Sequence, residues 1–212
     1  MGLGYGPDLI ITKVTGLKNV KPGESLSLSA TVCNQGNVRS DSVDVLFALS
    51  PDDVISRPMP PLPEDVFLGS AFAGYLEPGQ CSTVSWVAPV PYLQSESWYL
   101  GALVDPGDYT PELIESNNMR VEGVMGVGHA PDFVVTEVTG PARASQHEQI
   151  SLSATVCNQG TVEGSTAISI GLSPVENPFS PSWGDVELVD SYVGSLMPGQ
   201  CSTQHFSTSV ST

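Results

Sequence analysis

Apolar and polar residues alternate with a period of two along most of this chain. Leu26, Leu28, Ala30 and Val32 share one face, and Ser25, Ser27, Ser29, Thr31 and Cys33 share the other. That is the pattern of a half-buried strand. Val43, Val45, Phe47 and Leu49 form a second run, Val84 and Trp86 a third, and Trp98, Leu100, Ala102 and Val104 a fourth. Leu9 to Val14 supply an opening strand, and Met119 with Val121 a closing one. Trp86 and Trp98 both have inward parity, which predicts that both lie in the core. Proline and glycine punctuate these runs, and no stretch carries a helical period of 3.6. The pattern predicts an all-β chain built as an antiparallel sandwich.

The pattern occurs twice. The decapeptide Ser27–Gly36 returns letter for letter as Ser151–Gly160, 124 positions on. Pro78-Gly79-Gln80-Cys81-Ser82-Thr83 returns as Pro198-Gly199-Gln200-Cys201-Ser202-Thr203, and Pro7-Asp8 as Pro131-Asp132. Phe133 to Val138 answer the first strand, and Thr166, Ile168, Ile170 and Leu172 answer Val43 to Leu49. Each unit is large enough to bury its own core. The expected division is a linker over 1–6, a unit over 7–124, a linker over 125–130 and a second unit over 131–212. Counterparts of Trp98–Val104 and of Glu115–Val121 are missing from the second unit. Its truncated form should expose the core faces of Ile168, Ile170 and Phe206 and leave the strand at 167–172 with an unpaired edge. Such a unit is either completed by strands of a neighbouring molecule or belongs to a longer array cut out of phase with its domains.

The four cysteines sit at matched places, two per unit. No C-x-x-C or H-x₃₋₅-H spacing suggests zinc. Cys33 ends an early strand and Cys81 begins a later one, and both have outward parity. In a sandwich of this kind the two strands are antiparallel neighbours. Bridges Cys33–Cys81 and Cys157–Cys201 are therefore expected, against the alternative of four buried thiols. They imply an oxidising compartment. Met1 to Tyr5 carries no signal-peptide features, so a signal peptide is expected upstream of this segment.

An ordered set of words runs through the first unit: Pro7-Asp8-Leu9, Asn34-Gln35-Gly36, Leu76-Glu77-Pro78-Gly79, Val104-Asp105 and Glu115-Ser116-Asn117-Asn118. In this the chain resembles the CARDB family, the cell adhesion related domain found in bacteria. The resemblance implies tandem immunoglobulin- or fibronectin-like antiparallel β-sandwiches, the second incomplete at its C-terminal side. It also implies a secreted or cell-surface protein, with adhesion as the role carried by the family name.

Charge narrows the partners. Seven Lys and Arg stand against 23 Asp and Glu, a formal charge of −16. Nucleic acid, whose binding depends on basic residues, is excluded, and so are anionic membrane surfaces. No apolar run reaches the length of a membrane span, so no membrane insertion is expected. The densest polar stretch runs from Asp105 to Asn118. Asp105, Asp108, Glu112 and Glu115 there are candidate calcium ligands, being hard oxygens on a loop, although the spacing is not that of an EF-hand. Asp52-Asp53 and Glu64-Asp65 flank a proline-rich span and form a second candidate. Trp183, in a loop, is the candidate for contact with a ligand such as a polysaccharide; Tyr5, Tyr75, Tyr109 and Tyr192 are further aromatics that could meet sugar rings. His129, His147 and His205 fall in no metalloprotease motif, and no nucleophile elbow is present. The sequence thus reads as a non-catalytic extracellular structural or adhesion module in a repeat stalk or fibre. Its partners would be neighbouring copies of itself or other surface proteins. The alternative is an accessory polysaccharide-binding or spacer module of a secreted hydrolase.

Overall fold

The computed structural model describes residues 4–58, 64–93, 97–174 and 185–210. The chain divides into two compact units, residues 1–128 and 129–212. The first unit contains β1 (Leu9–Thr15), β2 (Asn19–Val20), β3 (Ser25–Asn34), β4 (Val43–Ser50), β5 (Val66–Gly74), β6 (Cys81–Pro89), β7 (Ser97–Val104) and β8 (Met119–Val127). Two sheets form, in the orders β1-β3-β6 and β2-β8-β7-β4-β5. All neighbours are antiparallel except β2 and β8, which run parallel. The architecture is that of an immunoglobulin-like β-sandwich.

Parity does most of the work. The alternate residues Leu26, Leu28, Ala30 and Val32 of β3 are buried and face Val45, Phe47 and Leu49 of β4 together with Trp98, Leu100, Ala102 and Val104 of β7 in one core. A smaller apolar cluster lies on the other face of the larger sheet, where Leu46, Ala48 and Leu103 pack with Ile55. The central strand β4 is therefore buried on both faces, and the loop after it is pinned down by Ile55. A Cβ on Gly101 would sit 2.5 Å from Ile55 Cγ1, so the glycine makes room for that plug.

Three expectations need correction. The linker expected over 125–130 begins later, because β8 continues through Val127, with Met125 and Val127 buried in the core beside Val20. Trp86 has inward parity yet is 38% exposed. It lies where the two sheets part, and its Nε1–H donates to the Leu68 carbonyl at 2.9 Å. The ring closes the open side of the sandwich rather than filling its centre. It also lies so close to Gly69 (φ +132°) that a Cβ there would be 2.3 Å from the indole nitrogen. The third concerns Ile168 and Ile170, treated below. Strand β5 was not foreseen: it is an edge strand with Gly69 and Gly74 inside it, two register shifts and no clean alternation.

The second unit contains β9 (Phe133–Thr139), β10 (Gln149–Asn158), β11 (Gly164–Leu172), β12 (Val186–Leu196) and β13 (Cys201–Ser209). Its described strands form the sheets β9-β10-β13 and β11-β12. The first has the register of β1-β3-β6: Cys157 faces Cys201 as Cys33 faces Cys81. The core joins Ala154, Val156, Ile168, Ile170 and Leu196. Ile168 and Ile170, expected to be exposed, are buried by the facing sheet, with Phe133, Leu152 and Phe206 packed against the same cluster. The exposed apolar side chains are instead Val135, Val138 and Leu172. No helix among the described residues is long and apolar enough to cross a membrane.

Candidate functional site

The repeated words can be followed atom by atom. Asn34 is fully buried at the end of β3. Its Oδ1 accepts from the amides of Asp8 at 3.1 Å and Gly36 at 2.9 Å. Its Nδ2 donates to the carbonyls of Val38 at 2.8 Å and Leu76 at 2.9 Å. One amide side chain thus joins the entry to β1, the turn after β3 and the approach to β6. Gln35 adds Nε2 to Asp8 Oδ2 at 3.0 Å. A Cβ on Gly36 would lie 2.5 Å from the Gly6 carbonyl oxygen, so the backbones touch there and only glycine fits. Asn158 repeats the whole arrangement, with Asp132 and Gly160 amides on its Oδ1 and Val162 and Leu196 carbonyls on its Nδ2.

The bridges Cys33–Cys81 and Cys157–Cys201 are formed, and no cysteine is free among the described residues. Each lies on the outer face of its sheet, beside a row of hydroxyls. Thr31 meets Thr83 at 2.8 Å and Thr155 meets Thr203 at 2.9 Å.

The acidic loop after β7 is held by hydrogen bonds and ion pairs. Asp105 is buried, with φ +46°, and its carboxylate accepts from the amides of Tyr109 at 3.2 Å and Thr110 at 2.7 Å. Asp108 and Glu115 both face Arg57, at 3.1 and 3.6 Å from Nη2. Arg57 Nη1 also donates to the Asp105 carbonyl at 3.0 Å. Glu112 accepts from the Leu9 amide and from Asn118 Nδ2. Asn117 Nδ2 donates to Asp8 Oδ1 at 2.8 Å, which ties the same loop to the Pro7-Asp8 word.

The calcium candidates Asp105, Asp108, Glu112 and Glu115 all belong to this network. The four carboxylates turn to different partners, and the guanidinium of Arg57 pairs with two of them. Among the described residues no three His, Cys, Asp or Glu side chains gather as a metal site. The second acidic candidate is likewise structural in part: Asp52 Oδ1 accepts from the Val54 amide and Asp65 Oδ2 from the Ser56 amide. Together with the Ile55 plug, those bonds aim Arg57 at the 105–115 loop. Sequence reasoning missed Arg57. The signal was there: one arginine between two acidic pairs, in a chain with few basic residues.

Among the described residues Glu112 carries the large shift. Burial pushes its carboxyl up to about 7, against the lowering effect of the Leu9 and Asn118 bonds. Asn118 Oδ1 is buried without a partner beside it. Turning that amide over would let a protonated Glu112 donate to the oxygen. An acid with a raised folded-state pKa adds most stability below its unfolded value, and that contribution is lost as pH rises through the folded value. The expected window is therefore from about pH 4.5 to about 7. Comparing urea unfolding of the wild type with Glu112→Gln isolates this effect from the other carboxylates. Over that range the variant should gain about 1–2 kcal/mol relative to wild type, the half-buried position reducing the full linkage value. A difference that stays flat with pH would remove Glu112 from this role.

Trp183, the candidate ligand contact, lies outside the described residues. Of the other aromatics, Tyr5, Tyr75, Tyr109 and Tyr192 are all exposed. Tyr75 is occupied on one face by Arg39, whose Cζ is 4.4 Å from the ring centroid.

Comparison with known proteins agrees with this framework. The CARDB family profile matches residues 6–122. The chain is similar to the CARDB domain of a Pyrococcus furiosus protein, solved in complex with di-metal ions. That match has 17% identity and a TM-score of 0.44, over 59% of this chain and 97% of that one. β-Glucosidase 3B from Thermotoga neapolitana matches at 18% identity and a TM-score of 0.36, over 60% of this chain and 17% of the enzyme. Red sea bream transglutaminase matches at 14% identity and a TM-score of 0.42, over 99% of this chain and 28% of the enzyme. No curated protein matches. The family match spans the unit whose Asp8, Asn34, Gln35, Glu112 and Asn117 are joined in one hydrogen-bonded end, and the chain belongs to the CARDB family.

Proposed function

We propose that this chain is a non-catalytic structural or adhesive module of an extracellular repeat protein, part of a stalk or fibre on a bacterial surface. Residues 131–212 form a second domain of the same family in this reading. Its partners are neighbouring copies or other surface proteins. One observation carries the proposal. The residues that repeat verbatim are spent on holding the fold: Asn34 and Asn158 each join three segments, and the cysteines staple the same two strands in each unit. What is repeated is a stiff module, as an array that spans or displays requires. The disulfides and the family support a location outside the reducing cytosol.

The test has two arms. Surface labelling of intact cells that produce the protein should detect it; labelling only after lysis would defeat the proposal. A glycan array probed with the chain distinguishes the accessory reading. Binding to a polysaccharide that Trp183→Ala abolishes would favour a carbohydrate-binding module of a secreted hydrolase over a stalk.

A further inference from the structure

Among the described residues, three buried side-chain oxygens have no hydrogen-bond partner, and all lie between β7 and β8: Thr110 Oγ1, Asn117 Oδ1 and Asn118 Oδ1. Thr110 and Asn118 are each only 2% exposed. Their surroundings are anionic. Asp105 Oδ2 accepts from the Thr110 amide at 2.7 Å, so the Thr110 hydroxyl lies beside that carboxylate. Asn118 Nδ2 donates to Glu112 Oε1 at 2.7 Å, and the unpartnered Oδ1 hangs on the same amide carbon, next to Glu112. The Asn118 carbonyl accepts from the Val104 amide at 3.0 Å, which sets Asn118 beside Asp105. Arg57 turns its charge to Asp108 and Glu115 and meets Asp105 only at the backbone carbonyl. Among the described residues no basic side chain pairs with the carboxylates of Asp105 or Glu112.

We infer that Asp105, Thr110, Glu112 and Asn118 form a binding site for one calcium ion. A buried oxygen without a donor gains from a cation as it would from a hydrogen bond, and a buried carboxylate needs a compensating positive charge. All four donors are hard oxygens, the set that calcium takes; none is a nitrogen or sulfur that would select a transition metal. Glu112 can bind through both oxygens, and solvent completes the roughly six to eight that calcium holds. Only two of the four donors are acidic, which is why no cluster of three metal-binding side chains marks the place. The loop thus divides its acids: Asp108 and Glu115 hold Arg57, while Asp105 and Glu112 take the ion. Without calcium, a proton on Glu112 meets part of the same surplus of negative charge, and calcium takes its place. The ion also has structural reach. Glu112 accepts from the Leu9 amide and Asn117 ties the loop to Asp8, so a cation there fastens the entry of β1 to the connection between β7 and β8. Binding is expected at about 0.1–1 mM, the range of extracellular calcium modules. This holds whether the protein serves a stalk or an enzyme.

The test titrates calcium chloride into the intact 212-residue protein, stripped of metal beforehand, in about 0.15 M sodium chloride to screen the surface charge. Titration calorimetry should give one ion per chain. About 10 mM calcium should raise the melting temperature of the first unit by about 5 °C. Thr110→Val and Glu112→Gln should each weaken binding about tenfold or more. Both variants should fold without calcium, because one loses an unpartnered hydroxyl and the other a half-buried charge. Asp108→Asn should bind as the wild type does, because its carboxylate faces Arg57. No saturable binding and no shift in melting up to about 10 mM calcium would overturn the inference and leave water as the partner of the three oxygens. Wild-type affinity in both Thr110→Val and Glu112→Gln would overturn it too, by placing the ion elsewhere on an acidic surface. Loss of binding in Asp108→Asn, with Thr110→Val unaffected, would assign the ion to the carboxylates that face Arg57 instead.

Discussion

Replacing Asn34 by aspartate is expected to cost the first unit about 4 kcal/mol, and its melting temperature about 15 °C. The side chain is fully buried and makes four hydrogen bonds. Two of them are donated by Nδ2 to carbonyl oxygens. A carboxylate cannot donate, so Val38 and Leu76 would keep buried carbonyls facing a third oxygen. Each buried polar group left unpaired costs about 1–3 kcal/mol, and ionising a carboxyl at such a site costs more. Asn158→Asp should do the same to the second unit, since Val162 and Leu196 stand in the same places. Gln35→Ala is the control. It removes one partly buried bond to Asp8 and should cost about 1 kcal/mol. If Asn34→Asp and Gln35→Ala destabilise alike in urea titrations of the whole chain, the central position given to Asn34 is wrong.

Legibility in the sequence followed the physics of each element. Strands with one wet and one dry face announced themselves by alternation: β3 is the clearest, its serines and Thr31 outside and its leucines, Ala30 and Val32 inside. The cysteine pairing was legible for the same reason, because parity fixes the face and the strand order fixes the neighbour. Strand β5 was hidden because an edge strand buries both faces only in part, so its sequence keeps no period. Trp86 shows where parity stops being enough: it gives the face of the sheet, whereas exposure depends on whether another strand lies opposite. The candidate site was legible only in part. The acidic residues of Asp105 to Glu115 stand out in one dimension, but their partner Arg57 comes from 48 positions before Asp105 in the chain, on a loop that Ile55 holds against Gly101. Nothing local in Asp105–Glu115 reports a guanidinium that arrives from elsewhere. Among the described strands of the second unit, Ile168 and Ile170 pack in the core with Ala154 and Val156, while Val138 and Leu172 are exposed.

Reduction should separate the two units. The bridges close spans of 48 and 44 residues, and each constrains the unfolded chain by about 4 kcal/mol in the chain-entropy picture. The loss is similar, but the reserves are not. The first unit packs two full layers, with Phe47, Leu9, Leu26, Leu49 and Met125 wholly buried. The described strands of the second leave Val135, Val138 and Leu172 exposed. A typical domain holds only about 5–15 kcal/mol in reserve, and each large side chain left exposed forfeits about 1.5–3 kcal/mol of burial. Cys157→Ser with Cys201→Ser should therefore abolish cooperative folding of the second unit at 37 °C. Cys33→Ser with Cys81→Ser should lower the stability of the first unit by about 4 kcal/mol and leave it folded. In calorimetry the oxidised chain should show two transitions, the lower one belonging to residues 129–212. Adding dithiothreitol should erase that transition and shift the upper one down. Limited proteolysis after reduction should then cut first within β9–β13 and release a resistant fragment ending near Gly128. A second unit that outlasts the first under these conditions would show that its open face is not the weak point, and that the uncovered valines and Leu172 cost the fold far less than their exposure implies.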